Sequence, residues 1–162
     1  ARRMAARGGS SAGQVVSRSA KRLDRELQEM QTAGLFPCQV QGAINERWIV
    51  TMRGAEGTFY AGETFNLQFT FPQEYPIDSP EVIFLQPAPI HPHIYSNGHI
   101  CLSILYQGGW SPALKVESVC MSILSMLSSA EKKAKPEDND RYVSTCKQSP
   151  KQTSWVFHDH KA

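Results

Sequence analysis

The sequence predicts an α+β domain, and three observations carry that prediction. An apolar stripe at helical spacing lies near the N-terminus. Runs of alternating apolar and polar residues follow, separated by short turns. Proline-punctuated loops and a second, more apolar helix complete the order. At 162 residues with 41% apolar content, the chain suits one domain with one buried core. No apolar run approaches the roughly 20 residues of a membrane span, so a soluble protein is expected.

Residues 1–18 are rich in Gly, Ser, Ala and Arg and lack apolar periodicity, so they read as a disordered basic tail. Six cations, Arg2, Arg3, Arg7, Arg18, Lys21 and Arg22, precede the first acid, Asp24; the remainder carries a net negative charge. The tail has no aromatic residues for base stacking, which argues against a nucleic-acid partner. Its composition is shared with transit peptides, but it has too few apolar residues for an amphipathic helix. The folded domain is expected over 19–148.

Leu23, Leu27 and Met30 recur at helical spacing from about Ser19, and Gly34 is placed to end that helix. Lys21, Arg22 and Arg25 are expected on its solvated side. Strands are predicted over Trp48–Met52, Thr64–Phe71 and Glu81–Leu85, with Phe65, Leu67, Phe69 and Phe71 marking the period of a half-buried strand. A weaker run over Val40–Ile44 adds a fourth. Strands in series joined by short turns imply a four-stranded antiparallel meander. Pro72, Pro76, Pro80, Pro87, Pro89 and Pro92 then exclude regular structure. A central helix is predicted over Val116–Ser128 and a short C-terminal helix over Glu137–Lys147. Residues 149–162 read as a flexible tail, with Trp155 and Phe157 as candidate docking residues.

Cys38, Cys101, Cys120 and Cys146 are widely spaced, with no Cys-x-x-Cys, which points to a reduced, intracellular protein. Cys120 falls in an apolar helix and is expected in the core. Cys101 differs. It follows Asn97-Gly98, a pair that favours a tight turn, and His91-Pro92, which biases the backbone toward extended geometry. It therefore sits on a stiff, irregular loop, where reactive residues concentrate. His91, His93, His99 and Cys101 have metal-ligating chemistry but no standard ligand spacing. No metal and no cofactor are expected.

The stretch from His91-Pro92-His93 through Asn97-Gly98-His99-Ile100-Cys101-Leu102 to Ile104-Leu105 closely resembles the active-site loop of ubiquitin-conjugating enzymes. Tyr75-Pro76-Ile77-Asp78-Ser79-Pro80 and Trp110-Ser111-Pro112-Ala113-Leu114 resemble two further loops of that family. The resemblance covers roughly residues 20–148. It implies the ubiquitin-conjugating fold: N-terminal helix, meander, active-site loop, central and C-terminal helices. It also implies acyl transfer. Cys101 takes the ubiquitin carboxyl terminus as a thioester from an activating enzyme, and an amine then attacks it. The thiolate is the nucleophile, and the incoming thioester is already activated, so no strong base beside Cys101 is required.

Two departures narrow the branch: His93 stands where the family has Asn, and Ser103 where many members have Asp. The family's Asn is assigned to the oxyanion or to loop ordering, and a histidine ring N–H is a substitute donor. His93 and Asn97 are thus the catalytic candidates beside Cys101. His-Pro-His, together with the Trp155–His158 tail, resembles the W-type enzymes, which modify substrate N-terminal α-amines. An α-amine (pKa about 7.7–8.0) offers a few hundredfold more free base near neutrality than a lysine (about 10.4). By the same resemblance, Lys21, Arg22, Pro76, Ile77, Ser111, Pro112 and Ala113 are placed to meet RING and U-box ligases, and Asp138 is the candidate acidic gate. Ubiquitin, the activating enzyme, such ligases and protein substrates with free N-termini are the expected partners; cytoplasm and nucleus are the expected location. The alternatives are conjugation of another ubiquitin-like modifier and a non-catalytic adaptor on the same fold.

Overall fold

The computed structural model describes residues 17–157. Expectations for residues 1–16 and for His158 onward lie outside them. Helix α1 spans Arg18–Ala33, so it begins before the predicted start at Ser19. The reason is a cap: Ser17 is extended, and its hydroxyl accepts the Ala20 N–H at 3.1 Å. Gly34 closes the helix in the left-handed region (φ 68°), donating its N–H to the Met30 carbonyl. The buried face is Ser19, Leu23, Glu26 and Met30, at spacings of four, three and four. Glu26 is an acid on an apolar stripe, and its partners belong to the site described below.

Strands β1 (Cys38–Gln41), β2 (Arg47–Arg53), β3 (Thr64–Thr70) and β4 (Glu81–Phe84) form one antiparallel sheet in sequence order. The expected meander is present. Its first strand lies earlier than the predicted Val40–Ile44, because Gly42 adopts φ 77° and turns the chain out of the sheet. Register puts like with like: Trp48 opposes Phe69, Val50 opposes Leu67 and Met52 opposes Phe65. Val82 and Phe84 continue the same face through Phe69 and Leu67. These residues are almost wholly buried. The Trp48 indole N–H, also inside, donates to the Ile44 carbonyl at 2.7 Å.

Helix α2 (Val116–Ser128) contributes Val116, Val119, Cys120, Ile123 and Leu127 to this core. Cys120 is buried, as its apolar helix predicts. Helix α3 runs over Asn139–Thr145, shorter than Glu137–Lys147. The segment beyond 149, expected as a flexible tail, is folded back over 149–157. A short 3-10 turn at Pro150–Gln152 is capped by the Ser149 hydroxyl, and Trp155 and Phe157 pack against the core. The physical reason is aromatic burial, set out below. Among the described residues no helix is long and apolar enough to cross a membrane.

Candidate active site

The chain between β4 and α2 folds into a tight hairpin that presents Cys101. Ile94 bridges Ile100, the Tyr95 N–H donates to the His99 carbonyl (2.9 Å) and the Cys101 N–H donates to the His93 carbonyl (2.8 Å). The tip is Ser96-Asn97-Gly98. Gly98 has φ 91°, and a Cβ there would lie 2.0 Å from the Phe84 carbonyl oxygen, so only glycine lets the hairpin dock on the end of β4. Phe84 N–H donates to the Gly98 carbonyl at 2.9 Å and seals that junction.

Asn97 sits in the turn. Its side-chain oxygen accepts the His99 N–H (3.1 Å), and its amide donates to the Cys146 sulfur (3.3 Å). It does not line the cleft that holds Cys101. Both bonds are those of the loop's turn residue. Cys101 is partly exposed and opens into a cleft of about 910 Å³, with His93 and Tyr95 on the hairpin side. Asp138, Glu137, Glu131 and Arg141 line the opposite wall. His93 is nearly buried and lies across the hairpin from Cys101. Cys38 and Cys120 are less available, and Cys146, as half-exposed as Cys101, accepts from Asn97 and lies outside the cleft lining. Burial pushes the Cys38 thiol up to about 11 and the Cys120 thiol further still.

The neighbouring histidines hold the loop. His91 is fully buried. Its Nδ1 accepts the His93 N–H (2.9 Å), which leaves Nε2 as the donor to the Met126 carbonyl (3.2 Å) in the last turn of α2. Desolvation lowers its pKa to about 4, against the opposing bond to Met126, so the ring is neutral. His99 Nδ1 lies 2.8 Å from the Tyr142 hydroxyl of α3, and that hydroxyl lies 2.8 Å from Thr153 Oγ1. Burial lowers His99 too, partly offset by its bond to the Gln148 backbone. These commitments separate the two rings. Among the described residues no group of three His, Cys, Asp or Glu side chains is placed to hold a metal.

Asp138 stands at the start of α3 on the rim of the cysteine cleft. One carboxylate oxygen accepts the Tyr95 hydroxyl (3.0 Å) and the other accepts from Arg141 (3.3 Å). Asn139 beside it ties α3 to the hairpin, accepting the Ser96 N–H (2.8 Å) and donating to the Ser96 hydroxyl (3.1 Å). Tyr95 stacks on Tyr142 at 3.9 Å, and Trp155 stacks on Tyr106 at 5.2 Å. Sequence reasoning missed this aromatic shelf. Tyr95, Tyr106 and Tyr142 are far apart in the chain and follow no common period.

A second surface gathers the residues expected to meet ligases. The Arg22 guanidinium is not on the solvated side. It bonds the buried Glu26 carboxylate (3.0 Å) and the carbonyls of Pro112 and Leu114 (both 3.0 Å). Glu26 also accepts the Tyr75 hydroxyl (2.7 Å) and the Val116 N–H at the start of α2 (2.7 Å). Trp110 donates to the Pro76 carbonyl at 2.9 Å. Ser111 builds the turn: its hydroxyl accepts the Ala113 N–H and its carbonyl accepts the Leu114 N–H. Pro76, Ile77, Ser111, Pro112 and Ala113 thereby border α1, with Ile77 74% exposed and Lys21 open to solvent.

A helix–meander–helix scaffold with a cysteine cleft between the hairpin, the chain leading into α3 and the 153–156 segment is the architecture of a ubiquitin-conjugating enzyme. A family model described as Ubiquitin-conjugating enzyme matches residues 22–158, and the chain belongs to that family, within its W-type branch. It is 54% identical over 148 residues to a probable ubiquitin-conjugating enzyme E2 W of Dictyostelium discoideum, covering 90% of this chain and 98% of that one. It is 52% identical over 162 residues to a probable ubiquitin-conjugating enzyme E2 16 of Arabidopsis thaliana, covering 98% and 99%. The crystal structure of the ubiquitin-conjugating enzyme E2 UbcA1 from Agrocybe aegerita superposes with a TM-score of 0.77 at 46% identity, covering 83% of this chain and 99% of that one. Membership implies interaction with ubiquitin, an activating enzyme and ubiquitin ligases.

Proposed function

We propose that Cys101 accepts ubiquitin as a thioester and passes it to the α-amino group of substrate N-termini. The observation that carries this is the contrast among the thiols. Cys101 opens into the cleft on a rigid hairpin, whereas Cys120 is core and Cys38 is held protonated by burial. In the first step the Cys101 thiolate attacks the thioester carbonyl carbon on the activating enzyme and expels that enzyme's thiolate; ATP is consumed upstream. In the second a neutral amine attacks the new thioester, the Cys101 thiolate leaves, and the amine loses its proton as the amide forms. His93 is the candidate donor to the oxyanion between those states.

The cleft lining mixes acids, Glu131, Glu137 and Asp138, with cations, Lys132, Lys135 and Arg141, so its charge does not single out a lysine ammonium. An amine that is already largely neutral is therefore favoured, and near neutrality that is the α-amine. RING and U-box ligases dock on Pro76, Ile77, Ser111, Pro112 and Ala113 beside α1. The cytoplasm and nucleus, where thiols stay reduced, are the proposed location.

The test combines protein, activating enzyme, ATP and ubiquitin, resolved on gels with and without reductant. A reductant-sensitive adduct is expected in the parent and in Cys120→Ser, and none in Cys101→Ser. For the acceptor, one lysine-containing substrate is compared with its N-terminally acetylated form; conversion is expected only with the free amine. Equal conversion of both sinks the α-amine assignment.

A further inference from the structure

The segment after Gln152 does more than pack. It is extended at Thr153 (φ −82°, ψ 137°) and crosses the mouth of the cysteine cleft, where residues 153–156 form part of the lining. The Val156 carbonyl oxygen stands 3.6 Å from the Cys101 sulfur, within reach of a weak thiol hydrogen bond, while 72% of Val156 faces solvent. Rings fix the position on either side. Trp155 stacks on Tyr106 (5.2 Å) and lies against Tyr142 (5.4 Å), and Phe157 stacks on Tyr106 (6.0 Å).

Acylation needs a carbonyl carbon to approach the sulfur to roughly 3–3.5 Å on an open trajectory. The segment's own carbonyl oxygen already stands 3.6 Å from the sulfur on one side, and it accepts from a thiol but repels a thiolate. The incoming ubiquitin tail and this segment compete for one space. We propose that residues 153–157 form a displaceable strap that shields Cys101 in the resting enzyme and must lift from Tyr106 before the cysteine is acylated. This rests on the reading of Cys101 as the ubiquitin acceptor. The attachment suits a reversible strap. Trp155 spends its indole N–H within its own segment, on the Pro150 carbonyl (2.9 Å), so its hold on the domain is ring contact alone.

The test reads the thiol without ubiquitin. The full chain, a truncation after Thr153 and the double variant Trp155→Ala/Phe157→Ala are alkylated with iodoacetamide, and labelling is followed by peptide-resolved mass spectrometry. Cys38, on β1, is the internal reference. A strap closed about nine-tenths of the time or more predicts alkylation of Cys101 faster by about tenfold or more in both variants, with Cys38 unchanged and ubiquitin charging faster in parallel. The double variant keeps the chain length should the truncation fold poorly. Cys101 rates within about twofold of the full chain in both variants would overturn the strap. Faster alkylation with no ubiquitin adduct on any form leaves the strap standing and removes the ubiquitin-acceptor reading. Ubiquitin charging with unchanged alkylation does the reverse.

Discussion

His93 faces the same cleft as Cys101 and accepts the cysteine's backbone N–H through its own carbonyl, so its ring position is coupled to that of the sulfur. If the ring supplies an N–H to the tetrahedral oxyanion, removing it costs about 10²-fold in amine transfer, the usual loss for one preorganised donor. His93→Ala should therefore charge with ubiquitin but discharge slowly to a free α-amine in single turnover. His93→Asn, which restores a donor, should recover most of that rate. Equal discharge by His93→Ala and the parent would make the histidine a neutral replacement. The cysteine and its turn were legible in the sequence because Asn-Gly and His-Pro constrain the backbone locally. Asn97's exclusion from the cleft was not, because it depends on Cys146, a residue 49 positions away.

At the scale of elements, the meander was legible wherever alternation reports burial: Trp48, Val50 and Met52 on β2, and Phe65, Leu67 and Phe69 on β3. The end of β1 was not, since it is set by one left-handed glycine rather than by a pattern. Glu26 shows a deeper limit. An acid at helical spacing among Leu23 and Met30 reads as solvated, yet it is 2% exposed. It binds Arg22, the Tyr75 hydroxyl and the first N–H of α2. One carboxylate thus joins α1, the Tyr75–Pro76 loop and the start of α2, and through Arg22 the Pro112–Leu114 turn. Glu26→Gln keeps the shape but halves the acceptors and removes the charge that Arg22 faces. Urea unfolding should show a loss of about 1–3 kcal/mol. Ligase-stimulated discharge should fall while unstimulated charging stays level. A uniform loss of both activities would mean that Glu26 serves stability alone.

Across the whole molecule, two buried histidines pin the active hairpin to both helices that flank it, His91 to α2 and His99 to α3. Both are depressed by burial, His91 to about 4. Unfolded, each takes up a proton near 6.5, while the folded protein does not. The unfolded state therefore binds more protons below pH 6.5, and stability falls as acid is added from there down to about pH 4. For His91 the full loss across that window is roughly 3 kcal/mol, from the size of its shift. Carboxylates titrate at the lower end of the same window, so a difference between variants isolates the histidine. His91→Gln retains an amide donor for Met126 but no titrating group. It should be less stable than the parent at pH 7.5, where the parent ring fits its two partners. It should also lose less stability between pH 7.5 and pH 5, so the urea midpoints of the two proteins converge on acidification. Parallel midpoints at both pH values would show that the hairpin's anchorage is indifferent to the charge on that ring.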